Sequence, residues 1–202
     1  MNRSKFRTYD INDVASFNKT SEIYGGLSNM ASGYPIVVND VSILTSEALY
    51  QACRYPRHPE TQNAIIRQRS PMAANMVSKQ AINDTRQDWF SVRISIMKWC
   101  LKVKLVQNWD VFSDLLDSTE NKPIVEISNI DDYWGCKLRG DKLVGGNVLG
   151  RLLMDLREYR RSIDHRTLSG INPPGIVDFK LLGNNVGFVL RKDSDFLQRK
   201  LF

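Results

Sequence analysis

Histidine is scarce. Only two occur in 202 residues, His58 and His165. A His-rich metal site is thereby excluded, and a Ser-His-Asp triad has just two possible bases. His58 lies in Pro56-Arg57-His58-Pro59 and His165 in a polar stretch, so both read as surface residues, and acid–base chemistry falls to carboxylates. Cysteine is equally thin: Cys53, Cys100 and Cys136 are odd in number, far apart and form no CxxC. Neither a zinc ribbon nor a disulfide framework is supported. No apolar run approaches the roughly 18–20 residues needed to cross a bilayer. The start, Met1-Asn2-Arg3-Ser4-Lys5-Phe6, is basic but has no apolar stretch behind it, so no signal peptide and no membrane partner are expected and the default location is the cytoplasm. Twelve Gly and seven Pro are too few for a collagenous or low-complexity chain, and there is no internal repeat. What remains is ordinary for a globular protein: 42% hydrophobic and 25% charged residues, in a length suited to one domain with or without an extension. Lys and Arg exceed Asp and Glu by 28 to 22, a net +6. That suits an anionic partner such as nucleic acid or a nucleotide without identifying one.

The pattern along the chain predicts a strand at 5–9 and a hairpin over 35–45, where two β-branched runs flank Asn39-Asp40. Helices are expected at 46–55, 59–69, 71–79, 86–107 and 109–118, the first opened by the N-cap candidates Thr45-Ser46. The 86–107 segment carries two apolar stripes and reads as a central helix, with Arg93, Lys98, Lys102 and Lys104 on a solvated basic edge. A short strand at 122–128, a loop at 129–146 and a helix at 147–163 follow. The remainder, 165–202, reads as a C-terminal extension in which 176–182 and 186–190 can pair as a hairpin.

Three segments carry polar residues that periodicity does not require. Gly25-Gly26-Leu27-Ser28-Asn29 allows close backbone approach, or is simply a turn. Glu47 in Thr45-Ser46-Glu47-Ala48-Leu49-Tyr50-Gln51-Ala52 is explained equally by the helix dipole or by function. In Asp131-Asp132-Tyr133-Trp134-Gly135, an aromatic beside a carboxylate can desolvate it, stack on a base or sugar, or anchor the loop. Gly145-Gly146-Asn147 before a helix is a ready anion site, without the Walker lysine.

None of these is specific singly; their order and wording are. With Pro35-Ile36, Ser70-Pro71-Met72-Ala73-Ala74, Asp88-Trp89, Met97 through Lys104 and Asn147 through Arg157, residues 20–160 resemble the NADAR family, which includes the YbiA-like N-glycosidases. The Glu47–Arg54 and Val125–Gly150 segments look closest to the antitoxin branch paired with DarT toxins, which attach ADP-ribose to guanine in DNA. The resemblance implies a mainly α, YbiA-like single domain over 1–164, with a small hairpin and a 165–202 extension. It implies removal of ADP-ribose from guanine by N-glycosidic hydrolysis, with no metal or redox cofactor. The partners would be ADP-ribosylated DNA, ADP-ribose and a cognate DarT-type toxin. Glu47 and Asp131 would be catalytic, converging on one pocket. Tyr24, Trp89 or Trp134 would stack, and Gly26, Ser28, Asn29, Arg54, Asn75, Gly135 and Asn147 would bind substrate. Arg54, Arg57, Lys79 and Lys137 would line a DNA-facing mouth. The alternatives are a YbiA-type small-molecule N-glycosidase and a non-catalytic module that binds ADP-ribose or the toxin. One departure bears on them. Asn75 stands where relatives carry Lys or Arg; a cation there can hold phosphate or act on the sugar, and Asn can do neither.

Overall fold

The computed structural model describes residues 6–192. In chain order its elements are β1 (Arg7–Asp10), β2 (Ala15–Phe17), β3 (Ile36–Val38), β4 (Val41–Ile43), α1 (Ser46–Ala52), α2 (Pro59–Ile66), α3 (Pro71–Gln80), α4 (Trp89–Gln107), α5 (Trp109–Asp117), β5 (Ile124–Glu126), β6 (Cys136–Arg139), β7 (Lys142–Gly145), α6 (Val148–Ser162), β8 (Gly170–Ile171), β9 (Lys180–Leu181), β10 (Asn184–Asn185) and β11 (Val189–Leu190). Among the described residues, six helices and five small sheets make a mixed α/β fold rather than the mainly helical one expected. The difference lies in two- to four-residue strands, too short to leave an alternating pattern in the sequence. The described residues divide into two compact units, one formed by 6–28 with Val111–Ile163, the other by Asn29–Asp110 with 164–192.

In the second unit the β3–β4 hairpin forms as expected, because Asn39 (φ 50°) and Asp40 (φ 61°) both take the left-handed conformation a two-residue turn needs. Thr45 caps α1 by accepting from the Ala48 N–H, and Ser70 caps α3 by accepting from the Ala73 N–H. α1, α2 and α3 pack on one another, and α1 also packs on α4. The N-terminal half of α4 is largely solvated, with Phe90 and Ile94 exposed, whereas Ile96 through Gln107 is buried at all but positions 98 and 102. Lys104 departs from the expected basic edge: it is fully buried, its ammonium 4.3 Å from the Tyr34 ring centre. Spacing explains this, since 104 lies four residues after buried Cys100 and three after buried Leu101. Burial pushes the Lys104 pKa well below the ordinary lysine value.

Residues 164–192 join this unit. β8 and β11 pack on α4, and Phe179 meets Trp99 edge-on at 5.1 Å. The expected hairpin of 176–182 with 186–190 forms in part: β9 pairs with β10 and the Val186 N–H donates to the Phe179 carbonyl, while β11 pairs with β8 instead. The tight turn at Leu182 (φ 49°) and Gly183 (φ 84°) returns the chain after two residues. Two buried glutamines tie the segment down. Gln62 donates to the Ala52 and Lys180 carbonyls and accepts from the Leu182 N–H; Gln107 donates to the Val37 and Leu190 carbonyls.

In the first unit β1, β7 and β6 form an antiparallel sheet in the order β1-β7-β6, and β2 pairs parallel with β5. The first strand runs Arg7–Asp10 where 5–9 was expected; Lys5 lies outside the described residues. Val125, Cys136 and Leu143 form a small core against Tyr9, Ile11, Val14 and Ile127. The segment expected as a loop at 129–146 contains the β6–β7 hairpin, turned at Gly140 (φ 60°). α6 lies on β5 so closely that a Cβ on Gly150 would collide with the Ile124 carbonyl.

Candidate active site

Residues on α1, α3 and α4 and the segment before β3 meet at Glu47. The Asn29 carbonyl accepts from the Glu47 N–H (3.1 Å) and from Ser46 Oγ (3.2 Å), fixing the entry to α1. The Glu47 side chain is almost wholly buried, where an isolated carboxylate would be costly. Its Oε1 receives two amide donors, Gln51 Nε2 at 2.8 Å and Asn75 Nδ2 at 3.0 Å. Burial raises its pKa; hydrogen bonds from Gln51, Asn75 and Asn29 and the charge of Arg54 oppose that rise. The result is a carboxylate that is hard to ionise yet supplied with donors for the ionised form.

Asn29 itself donates to Met97 Sδ (3.0 Å), while its Oδ1 is buried with no partner among the described residues. That orphaned acceptor beside Glu47 suits a hydroxyl donor such as a ribose offers. Arg54 stacks 5.0 Å from the Trp89 ring centre and donates to Gln51 Oε1 (3.4 Å) and Thr85 Oγ1 (3.2 Å). Trp89 is buried and lies 5.0 Å from the Tyr50 ring at a 46° tilt. Asn29, Glu47, Arg54, Asn75 and Trp89 are thus brought together within one unit. Gln51 and Ser78, which belong to the same network, were not among the residues singled out from sequence. Gln51 lies one helical turn after Glu47, a spacing that lets the two side chains meet.

The other expected site residues lie in the first unit. Tyr24, half-buried, opens a single 3₁₀ turn at Gly25–Leu27 that contains Gly26, and Ser28, buried, closes it. Asp131 Oδ1 accepts from the Tyr133 and Trp134 N–H groups at 2.8 and 2.9 Å, shaping the loop. Trp134 is half-buried and meets Tyr133 edge-on at 5.4 Å. Gly135 lets the chain pass the Glu126 carbonyl, which a Cβ would hit. Asn147 is fully buried in a left-handed conformation (φ 46°); its Nδ2 donates to the Ile124 carbonyl and its Oδ1 accepts from the Glu126 N–H.

The anion site expected at the start of α6 is corrected by these contacts. The N–H groups of Gly146, Asn147, Val148 and Leu149 donate to the carbonyls of Asp132, Gly135, Tyr133 and Trp134, so the loop caps the helix with its own backbone. Of the four cations expected at a DNA-facing mouth, Arg54 is committed internally. Arg57 pairs with Asp178 at 2.9 Å, Lys137 lies 3.7 Å from Asp132, and Lys79 is exposed on the last turn of α3. A cleft of about 410 Å³ is lined by Arg57, His58, Thr85, Arg86, Asp88 and Asp178 among others. It does not include Glu47; it adjoins the site where Thr85 Oγ1 accepts from Arg54 and the Arg86 N–H donates to the Arg54 carbonyl. Among the described residues, no three His, Cys, Asp or Glu side chains cluster so as to hold a metal ion, and no helix is long and apolar enough to cross a membrane.

Residues 16–160 match the NADAR domain model. The chain belongs to the NADAR family. It is 34% identical over 145 residues to the N-glycosidase YbiA of Escherichia coli, covering 72% of this chain and 87% of that one. An N-glycosidase of Nostoc punctiforme is 31% identical over 159 residues, 77% of this chain and 96% of its own. A riboflavin biosynthesis protein of Vibrio vulnificus is 31% identical over 144 residues, which are 37% of its length. The NMR structure of E. coli YbiA superposes with a TM-score of 0.64 at 32% identity, covering 77% of this chain and 92% of that one. The NADAR match takes in Glu47, Gln51, Asn75, Ser78 and the whole of α4, and ends before β8–β11.

Proposed function

We propose that this protein hydrolyses the N-glycosidic bond between ADP-ribose and guanine in DNA, acting as the antitoxin to a DarT-type ADP-ribosyltransferase. The observation that carries hydrolysis is the buried, amide-supported Glu47 carboxylate, supported by relatives that are N-glycosidases. The DNA and guanine specificity rests on the likeness of the Glu47–Arg54 and Val125–Gly150 segments to the DarT-associated branch.

In the reaction the C1′–N bond breaks and its electron pair leaves with the base, so positive charge develops on the ribose. Glu47, ionised, stabilises that charge and takes a proton from the water whose oxygen bonds to C1′. The departing guanine is protonated as it leaves, which balances the proton given up by the water. The Asn29 Oδ1 acceptor receives a ribose hydroxyl, and ADP-ribose supplies the affinity; DNA phosphates supply a smaller, salt-sensitive part.

Asn75 favours a second reading, a module that binds ADP-ribose and releases it slowly. It presents a neutral amide to Glu47 at 3.0 Å, where a Lys would present a cation. Incubation with guanine-ADP-ribosylated DNA separates the readings. Release of free ADP-ribose and restored guanine supports the glycohydrolase. Retention of the modified DNA without release supports the module. Indifference to DNA with cleavage of a modified nucleoside identifies a small-molecule N-glycosidase.

A further inference from the structure

Glu47 does not stand alone with its two amides; behind Gln51 lies a second layer of donors, in which Ser78 and Tyr55 are fully buried and Arg54 is half-buried. The Gln51 Oε1 atom accepts from Ser78 Oγ at 2.6 Å and from Arg54 Nη1 at 3.4 Å. Ser78, on α3, is completely buried, and so is Tyr55, whose hydroxyl donates to the Ser78 carbonyl and lies 3.0 Å from Ser78 Oγ. Hydrogen counting orders this chain. The Tyr55 hydroxyl has one hydrogen, directed at a carbonyl that can only accept, so Tyr55 is no donor to Ser78 Oγ. The Ser78 hydrogen then has two possible acceptors, and the nearer is Gln51 Oε1. Arg54 has only donors, so it too demands an oxygen at that end of the amide. An amide turned the other way would set its NH₂ against the guanidinium.

We infer that Ser78 and Arg54 lock the Gln51 amide with its nitrogen toward Glu47, making Ser78 a positioning residue and Oε2 the reacting oxygen of Glu47. This deepens the reading of Glu47 as the catalytic carboxylate and rests on it. With Gln51 locked, Oε1 receives two N–H groups, from Gln51 and Asn75, which fill its two lone pairs. The proton taken from water goes to Oε2. The same N–H groups stabilise the ionised form, so releasing the lock makes Glu47 harder to ionise. The charged group acting on Glu47 is Arg54 beside it; Tyr50 on its own helix and the Cys100 thiol on α4 feel the Glu47 charge, which with burial pushes their pKa values up and keeps them neutral. From α3 it meets the neutral Asn75, and from the segment before β3 the neutral Asn29.

The full chain labelled with ¹³C-glutamate tests this, the Glu47 carboxyl resonance being assigned by its loss in Glu47→Gln. In Ser78→Ala the titration midpoint of Glu47 is expected to rise by about half to one pH unit, the size set by one lost hydrogen bond. Ser78→Thr, which keeps the hydroxyl, returns the midpoint toward the wild-type value. Tyr55→Phe removes an anchor of Ser78 but keeps the Ser78 donor, so it lowers the melting temperature and leaves the midpoint in place. An unmoved midpoint in Ser78→Ala overturns the inference, and so does an equal rise in Ser78→Ala and Tyr55→Phe, which would report general loosening. Cleavage of modified DNA by Glu47→Gln would overturn the catalytic reading instead, while the titrations still decide the lock.

Discussion

At the scale of the residue, the catalytic role proposed for Glu47 carries a stability cost. Burial raises its pKa above the usual 4.5, so the folded state holds this proton more tightly than the unfolded state. Stability therefore falls as pH rises from about 4.5 through the folded value, and the loss is complete above it. Glu47→Gln has no charge to bury and is expected to melt above wild type at pH 7.5; below pH 4.5 the two curves should meet. A mutant less stable than wild type at neutral pH contradicts this. Asn75→Lys sets an ammonium against the same carboxylate, which favours ionisation. Turnover on modified DNA should rise, and a fall would show that the neutral amide is the working residue. From sequence, Glu47 was legible only as a first-turn acid or a site candidate, because the dipole of α1 explains it equally well. The proposed catalytic reading rests on burial and the amide donors, and the Asn75 donor depends on α3 returning to α1, a tertiary contact with no local signature.

At the scale of the element, helices were read better than strands because seven or more residues give a period to count. α4 shows the limit of periodicity: two apolar stripes were legible, but Lys104 was placed on the surface although its spacing set it among buried neighbours. The β6–β7 hairpin carried a usable cue in Gly140-Asp141, a pair suited to a two-residue turn, which the surrounding acids and glycines obscured. The start of α6 misled for a different reason. Gly145-Gly146-Asn147 has the composition of an anion site, but the carbonyls that occupy its N–H groups come from a loop more than ten residues away. Asn147 was expected to bind substrate, and in the fold it joins α6 to β5. Asn147→Ala is accordingly expected to cost about 2–4 kcal/mol in denaturant unfolding, as for a buried pair of hydrogen bonds left unmade. Unchanged stability with weakened ADP-ribose binding would restore the ligand role.

At the scale of the whole molecule, a net charge of +6 does not by itself say which residues meet DNA. Arg54, expected from sequence at a DNA-facing mouth, stacks on Trp89 and supports Gln51, so its replacement should slow action on every substrate alike. Arg57 remains exposed despite its pair with Asp178, and such surface pairs are worth little. Arg57→Gln should weaken action on modified DNA several-fold, lower the salt dependence, and leave a modified nucleoside unaffected. Equal losses on both substrates would show that no DNA contact exists there. The proposed hydrolysis is tested most directly by the single-turnover release of ADP-ribose from guanine-ADP-ribosylated DNA by wild-type protein and by Glu47→Gln at neutral pH. Release by the wild type, with a rate about 10²–10⁴ higher than that of the folded variant, is the result expected of a lost catalytic carboxylate. Equal rates from the two proteins would contradict it.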